Sequence, residues 1–357
     1  MSWQGILGHD AIVEQFRRGL QQSRLATTFL FVGPTGIGKR TFAKALAKSL
    51  LCTKANEEDL KPCGTCAECQ QVESDTHPDL QQIQKPADRA FIPVETFIGD
   101  REHRMRTGLC HFISLTASNG KRRIAIIDDA DWLNVEGANS LLKTLEEPSP
   151  GAIIILISTS LQRQLPTIRS RSQVVRFHPL TTDEVATCLV EKELAETPEE
   201  AQRMASRAEG SVAQALTFAN ESTLALRSDL WTELAKPAID RGGLAKLVNT
   251  FADSNGKETA AKRNQLRIVF ESAIEFYRAV ARCGNAGGLP ENVEPKEPVA
   301  NTLSQAPAAA DIAIEQVDRC LDALREVRSN ANLGILVDAW VCDLATITRT
   351  QQALPLS

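Results

Sequence analysis

The sequence predicts an α/β domain whose parallel β-sheet is covered by helices, followed by a part that is entirely helical. Short apolar runs in the first half are the main sign of the sheet, and segments with helical periodicity separate them. Runs that are apolar on both faces are typical of parallel strands buried between helices. Such runs stop near residue 180, while helical periodicity continues to the C-terminus. This order predicts a layered α/β domain followed by separate helical domains.

The predicted strands occupy residues 29–32, 124–127, 153–157 and 174–175. One helix is predicted over 40–51, and Pro148 ends a second one with the apolar stripe Ala138, Leu141, Leu142 and Leu145. The segment from Thr181 to Glu184 has the composition of a capping box and predicts a further helix. The expected domains are 1–180, 181–240 and 241–357. Residues 284–310, which are rich in glycine, proline and alanine, are interpreted as a loop or linker.

The net charge of −5 over 357 residues argues against a protein that binds nucleic acid alone over a large face. Arg101, Arg104, Arg106 and residues 121–123 are candidates for local phosphate contacts, although a solvated basic face is the simpler explanation. The sequence has no uninterrupted apolar run of about 18 residues, and its N-terminus lacks the layout of a secretory signal. A cytoplasmic location without membrane contact is the resulting expectation.

Residues 33–39 follow the pattern G-x-x-x-x-G-K between a predicted strand and a predicted helix, which is the context of a phosphate-binding loop. The backbone N–H groups of such a loop and the following helix N-terminus favour bound phosphate. The expected nucleotide-binding residues in this loop are Gly33, Gly36, Gly38 and Lys39, and Lys39 would reach the outer phosphates. ATP or ADP is therefore an expected ligand.

The residue after Lys39 is Arg40, where such loops carry the hydroxyl that ligates Mg²⁺. A guanidinium has only N–H donors and cannot ligate a cation. Asp128 ends the second predicted strand, where an acidic Mg²⁺ partner belongs, although a solvated turn is the structural alternative. Asp129 follows it, and its side chain is one methylene shorter than a water-orienting glutamate. The sequence therefore argues against Mg²⁺-assisted hydrolysis at this loop.

Four cysteines are clustered in the sequence, with the spacing C-x10-C-x2-C-x2-C: Cys52, Cys63, Cys66 and Cys69. In a reducing compartment such a cluster indicates metal ligands rather than disulfides. Four thiolates with no open position predict a closed, structural Zn²⁺ site. An iron–sulfur cluster is compatible with the same ligand type, and a site without metal is the third possibility.

A four-Cys module directly after the helix of a phosphate-loop domain is unusual. Together with the segments at 141–148 and 165–172, it resembles the AAA+ subunits of bacterial DNA polymerase III clamp loaders, and the resemblance extends over residues 3–220. It implies an AAA+ P-loop NTPase fold in domain 1–180, with the zinc module at 52–69. It also implies a helical lid domain over 181–240 and an all-helical oligomerisation domain over 241–357.

The family contains gamma/tau subunits, which hydrolyse ATP, and delta-prime subunits, whose ATP site is degraded. Arg40 and Asp129 depart from the hydrolysing kind, as does Ala213, where that kind usually has a sensor arginine. Thr159, after the third strand, is retained as a sensor residue. The resemblance therefore favours the delta-prime kind, an accessory subunit without intrinsic ATPase activity.

The segment Ser170-Arg171-Ser172 is close to the Ser-Arg-Cys motif of the family. The resemblance implies that Arg171 is an arginine finger acting in trans in the ATP site of an adjacent subunit. A surface role for Arg171 is the alternative, and Arg169 is near enough to be confused with it. The expected partners are gamma/tau and delta subunits, a sliding clamp and primed DNA within a hetero-oligomer. The alternative functions are a gamma/tau-like ATPase and an AAA+ DNA motor of another system.

Overall fold

The computed structural model describes residues 3–86, 89–118, 120–256, 258–286, 295–305, 308–328 and 331–352. They form two compact units, residues 1–216 and residues 217–357, each with its own hydrophobic core. Among the described residues, none of the helices combines the length and the apolar character needed to cross a membrane.

The first unit is built on a parallel five-stranded sheet with the order β2-β3-β4-β1-β5. The strands are β1 (Thr28–Val32), β2 (Leu80–Ile83), β3 (Arg123–Ile127), β4 (Ala152–Ser158) and β5 (Gln173–Arg176). Leu30 of the central strand β1 is in register with Leu156 on one side and Val174 on the other. The four predicted strands are confirmed, and β2 is an edge strand that the sequence analysis missed.

The helices of this unit are short and connect the strands. They are α1 (Asp10–Gln21), α2 (Lys39–Leu51), α3 (Ala67–Glu73), α4 (Glu95–Ile98), α5 (Gly108–Ser114), α6 (Val135–Glu146), α7 (Pro166–Arg169), α8 (Thr182–Glu191), α9 (Pro198–Ser206) and α10 (Val212–Ala219). The predicted capping box is present at the start of α8, where the Thr181 hydroxyl accepts a hydrogen bond from the Glu184 N–H and the Glu184 carboxylate accepts one from the Thr181 N–H.

Two hydrophobic cores cover the two faces of the sheet. Phe29 and Phe31 of β1 pack with Phe42 of α2 on one face, and Leu30 packs with Leu141 of α6 on the other. Alternation along a strand that is buried on both sides explains why β1 is apolar at every one of these positions. A third core joins α8, α9 and α10. The architecture matches the α/β P-loop fold of the AAA+ type that the resemblance implied.

The second unit consists of helices in the described residues: α11 (Glu221–Leu234), α12 (Arg241–Ala252), α13 (Thr259–Ala286), α14 (Lys296–Gln305), α15 (Ala309–Arg328) and α16 (Leu333–Gln352). Their core contains the fully buried side chains of Trp231, Phe270, Tyr277 and Trp340.

The predicted linker at 284–310 is wrong over much of its length. Gly284 lies inside α13, and α14 occupies Lys296–Gln305 with Pro298 in its first turn. Proline is tolerated there because the first N–H groups of a helix have no partner within the helix. Residues 287–294 and 306–307 of the predicted linker lie outside the described residues.

Candidate functional site

The phosphate-loop pattern connects the end of β1 to the start of α2, as its sequence predicted. Gly36 and Gly38 have φ angles of 78° and 94°, in the left-handed region that favours glycine. A Cβ on Gly33 would lie 2.5 Å from the carbonyl oxygen of Phe177, whereas a Cβ on Gly38 would meet no atom within 4 Å. The loop thus needs glycine for its conformation at 36 and 38, and for close packing at 33.

Lys39 begins α2 and is buried beside the loop. Its Nζ donates hydrogen bonds to the carbonyl oxygens of Gly33 at 2.6 Å and Pro34 at 2.5 Å. Burial lowers the pKa of Lys39 to about 8, although the carboxylates of Asp128 and Asp131 act in the opposite direction. The lysine therefore lies where phosphate oxygens could replace the carbonyl groups as its acceptors.

A cavity of about 460 Å³ opens over this loop, within the size range of sites that take a small organic ligand. Its lining includes the loop residues 35–41 and the acidic turn after β3. It also includes the apolar side chains of Ile6, Leu7, Leu180, Leu194, Val212 and Leu216. A ligand with phosphates and an aromatic base would match this mixed lining.

The acidic turn after β3 contributes Asp128, Asp129 and Asp131 to the cavity wall. Asp129 has a φ angle of 56°, and burial together with the neighbouring Asp128 carboxylate raises its pKa. The predicted residues Asp128 and Thr159 both line the cavity, since the carboxyl ends of β3 and β4 meet at one edge of the sheet.

Asp131 is the residue that the sequence analysis missed in this turn. Its carboxylate accepts hydrogen bonds from the N–H and hydroxyl of Thr159, at 2.9 and 2.5 Å, and from the Ser158 hydroxyl at 2.5 Å. Gln164 donates to the same carboxylate at 3.2 Å. Thr159, the predicted sensor residue, is thus held by Asp131. The only signal in the sequence is a third aspartate in the run that begins at Asp128, which has no distinct pattern of its own.

Arg40 lies at the edge of the cavity, with 51% of its side chain exposed. Its Nη1 donates to Gln84 Oε1 at 2.8 Å and lies 3.7 Å from Asp128 Oδ2. The guanidinium therefore reaches the carboxylate that would serve Mg²⁺ in a hydrolysing relative. The residues present do not fit a magnesium site with the usual hydroxyl and carboxylate partners.

The third position that departs from the hydrolysing kind, Ala213, lies beside the loop. A Cβ on Gly36 would be 2.7 Å from Ala213 Cβ and 2.2 Å from Ser211 Oγ, so α10 begins against the loop. Lys192, at the C-terminal end of α8, is a cation in the cavity wall that the sequence analysis did not identify.

The four-Cys cluster is assembled as predicted. The sulfur atoms of Cys52, Cys63, Cys66 and Cys69 all lie within 4.8 Å of one another. Cys52 Sγ and Cys66 Sγ are 3.9 Å apart. Sulfurs placed tetrahedrally at about 2.3 Å from one ion are roughly 3.8 Å apart, so the arrangement could hold a metal.

Backbone N–H groups point at these sulfurs, as expected of thiolate ligands. Cys63 N–H donates to Cys52 Sγ at 3.4 Å, Cys66 N–H to Cys63 Sγ at 3.3 Å, and Cys69 N–H to Cys66 Sγ at 3.4 Å. The N–H of Thr65 is the main reason that the pKa of Cys63 is lowered to about 6. Burial raises the pKa of Cys69 to about 12, so a cation is needed to stabilise its thiolate.

The basic run 121–123 fastens this module to the sheet. Lys121 Nζ donates to the Cys52 carbonyl at 2.6 Å, and Arg122 forms a paired contact with the Glu57 carboxylate at 2.8 and 2.9 Å. Arg123 is buried and donates to Asp79 at 2.8 Å. The side chains of this run have structural partners within the chain, and the buried Arg123 does not belong to a solvated basic face. Arg101, Arg104 and Arg106 are exposed in the loop between α4 and α5.

Arg171 follows α7 and is partly exposed. Its Nε donates to Glu146 Oε1 at 2.9 Å, and its Nη1 donates to the Thr167 carbonyl at 3.1 Å. Arg171 is not among the residues that line the cavity of its own chain. Arg169 belongs to α7 itself and is also exposed.

Comparison with known proteins agrees with this site. Residues 8–181 match the family model described as "DNA polymerase III, delta subunit". The chain is 33% identical over 183 residues to DNA polymerase III subunit delta' of Bacillus subtilis, covering 51% of each chain. It is 38% identical over 146 residues to the subunit of the same name in Pseudomonas aeruginosa, covering 41% of each chain.

DNA polymerase III subunit tau of Escherichia coli is 26% identical over 269 residues, which cover 73% of this chain and 39% of tau. The chain thus spans about half, or less, of the length of these relatives. The family model matches the part of the chain that contains the phosphate loop and the four cysteines. This match and the similarity to the two delta' subunits support a delta-prime-type subunit of the bacterial DNA polymerase III clamp loader.

Proposed function

We propose that the chain is the delta-prime subunit of a replicative clamp loader, and that it helps to place a sliding clamp on primed DNA. The observation that carries this proposal is Arg40, whose guanidinium contacts Asp128 where a hydrolysing relative would bind Mg²⁺. Asp129 and Ala213 depart from the hydrolysing kind around the same cavity. In this proposal the partner gamma/tau subunits hydrolyse ATP, and this chain has no turnover of its own.

Arg171 supplies the contribution of this chain to its neighbour. An arginine in trans stabilises the charge that develops on the γ-phosphate during transfer. Arg171 lies outside the cavity of its own chain and is held only by Glu146 and by atoms of residues 167 and 170, according to the contacts of the described residues. Release of an exposed ion pair of this kind costs little, roughly 0–1 kcal/mol.

Reconstitution of the full complex tests this role. The chain is assembled with gamma/tau and delta subunits, and ATPase turnover is measured with the clamp and primed DNA present. Arg171→Ala is expected to leave assembly intact and to lower turnover and clamp loading, because one active site loses its arginine. Arg169→Ala is the matched control on the adjacent helix. Unchanged turnover in a fully assembled Arg171→Ala complex would show that Arg171 is only a surface residue.

A gamma/tau-like ATPase is the second candidate, because the similarity to tau extends over 269 residues. Phosphate release by the isolated chain separates the two functions. Robust turnover in the presence of clamp and primed DNA would support the ATPase, whereas the delta-prime function predicts none above background.

The cavity over the phosphate loop is proposed to bind ATP or ADP. Support comes from the open space at Gly38, the buried Lys39 and the presence of both polar and apolar side chains in the lining. The four-Cys cluster is proposed to hold a structural Zn²⁺ ion, since its four candidate ligands are all cysteine sulfurs and together fill a tetrahedral site. When bound, the ion would supply the positive charge that keeps four close thiolates together.

The remaining assignments complete the proposal. The helical segment 181–240 acts as the lid of the nucleotide site, and 241–357 is the oligomerisation domain that contacts gamma/tau and delta subunits. The complex operates in the cytoplasm without membrane contact.

A further inference from the structure

We propose that this chain binds its nucleotide without Mg²⁺, and that the guanidinium of Arg40 takes the place of the metal ion. The inference rests on the nucleotide cavity of the proposed function. It goes beyond that function by specifying the form of the ligand, a nucleoside di- or triphosphate without a bound metal ion.

A phosphate loop normally places Mg²⁺ between a hydroxyl at the residue after its lysine and an acidic residue at the end of the neighbouring strand. Asp128 supplies the acidic group here, but Arg40 replaces the hydroxyl. Nη1 of Arg40 lies 3.7 Å from Asp128 Oδ2. The carboxylate that would attract the ion already has a cation beside it, and a divalent ion entering this space would be repelled by the guanidinium.

Gln84 fixes the position of this guanidinium. Its Oε1 accepts a hydrogen bond from the same Nη1 at 2.8 Å, just after strand β2. Arg40 is therefore held between two strand ends, β2 and β3, and it lines both the nucleotide cavity and a neighbouring pocket that contains Gln84 and Asp128. A guanidinium at this boundary has further N–H groups that can donate paired, charge-assisted hydrogen bonds to phosphate oxygens.

The basic and acidic side chains of the cavity wall are equal in number. Lys39, Arg40 and Lys192 are basic, and the acidic groups are Asp128, Asp129 and Asp131. Asp131 is already engaged with Ser158 and Thr159, and Asp128 with Arg40. Thr41 also lines the cavity and carries a hydroxyl, but one residue further along a helix turns the side chain by about 100°.

Binding of a fluorescent ATP analogue to the full-length chain tests the proposal directly. The dissociation constant is measured in excess EDTA and in excess MgCl₂. The expected values agree within about twofold, since no step of binding uses the metal. Tightening by about tenfold or more in MgCl₂ would overturn the proposal, and so would the absence of binding under both conditions.

Variants locate the effect at Arg40. Arg40→Thr restores the missing hydroxyl and removes the guanidinium, so binding in EDTA should weaken by at least about tenfold, the loss expected for one charge-assisted bond. MgCl₂ should then restore much of this affinity. Metal-independent binding that is unchanged in Arg40→Thr would refute the role of Arg40.

Two controls complete the experiment. Lys44→Ala removes another cation of α2, one that pairs with Asp75 at 2.8 Å, and should retain metal-independent binding. Lys39→Ala should abolish binding and so shows that the signal arises at the loop. Because clamp-loader assembly and the Arg171-dependent turnover of the complex are measured separately, failure here is distinguishable from failure of the proposed function.

Discussion

At the scale of single residues, Lys39 combines burial with a charge that phosphate binding requires. Burial lowers its pKa to about 8, so the free chain keeps this proton at neutral pH but loses it at mildly alkaline pH. Asp128 and Asp131 face it from the acidic turn, and Arg40 and Lys192 share the cavity. Bound phosphate would add negative charge beside the ammonium group and raise its pKa.

A pH-dependent affinity follows from this difference between the free and the bound lysine. Below about pH 8 both states are protonated and the affinity is constant. Above it, the free chain must take up a proton on binding, so the affinity falls by up to about tenfold per pH unit. Titration with ADP from about pH 7.5 to about pH 9.5 checks this, because its terminal phosphate, with a pKa near 6, is already ionised.

Calorimetry in two buffers of different ionisation enthalpy gives an independent readout. Proton uptake should be absent near neutral pH and should approach one proton per nucleotide well above pH 8, as expected for one linked group. A flat affinity profile with no proton uptake would contradict the assigned state of Lys39.

At the scale of elements, the four-Cys module is held by hydrogen bonds from residues that precede it and from residues that follow it in the sequence. Trp3 Nε1 donates to the carbonyl of Leu60 at 2.8 Å, and Lys121 and Arg122 reach the module from the start of β3. Regular structure in the module is limited to a 3-10 turn at Glu57–Asp59 and the start of α3. A metal ion bound by four ligands would therefore be a main source of its local stability.

Cys66→Ser is predicted to lose the metal and to lower the free energy of unfolding by on the order of 3 kcal/mol, since loss of a metal is among the largest single effects. Cys66 is the N-cap of α3, where its Sγ accepts a hydrogen bond from the Cys69 N–H, and a serine hydroxyl can accept the same bond. The loss of stability would therefore come from the missing metal ligand and not from a missing helix cap. The measurements are metal content and denaturant unfolding.

Cys342→Ser is the matched control, because Cys342 is an exposed free thiol. It should retain one zinc per chain and the stability of the wild type. Full zinc content in Cys66→Ser would exclude Cys66 as a ligand. Iron in place of zinc in the wild type would show that the cysteines hold an iron–sulfur cluster.

Elements with strong local signals could be predicted from the sequence, and weaker ones could not. The strand at 153–157 was predicted because these five residues are all apolar, and the structure buries every residue of β4. The edge strand β2, with two glutamines and only Ile83 buried, lacks that signal and was missed. The contact of Arg40 with Asp128 depends on how β3 is placed beside the phosphate loop, which no local pattern specifies.

At the scale of the whole molecule, each compact unit buries its own core. The helical unit holds its core together through Trp231, whose Nε1 donates to the Ser272 carbonyl at 3.1 Å, and through Trp340 on α16. The sequence predicted helices here, but glycine and proline suggested a linker where α14 forms. Burial of Val299 in that core outweighs the weak local helix preference.

Division of the chain at Asn220, between α10 and α11, is predicted to give two fragments that fold independently. The N-terminal fragment should retain its metal and its nucleotide affinity, because the residues of both sites precede the division. The C-terminal fragment should be helical by circular dichroism and should unfold cooperatively. A fragment without a cooperative transition would show that the units depend on each other for folding.

The contact between Arg40 and Asp128 has a further consequence for the history of this fold and for protein engineering. Arg40→Thr would restore a metal ligand, but Asp129 would still be too short to orient water and Ala213 would still lack a cation. Residues that act as one catalytic unit add almost no activity when they are restored one at a time. A return to a hydrolase would therefore need several simultaneous substitutions. An intermediate that begins with Arg40→Thr would lose the charge proposed to hold phosphate without gaining turnover, so this substitution is an unfavourable first step back to a hydrolase.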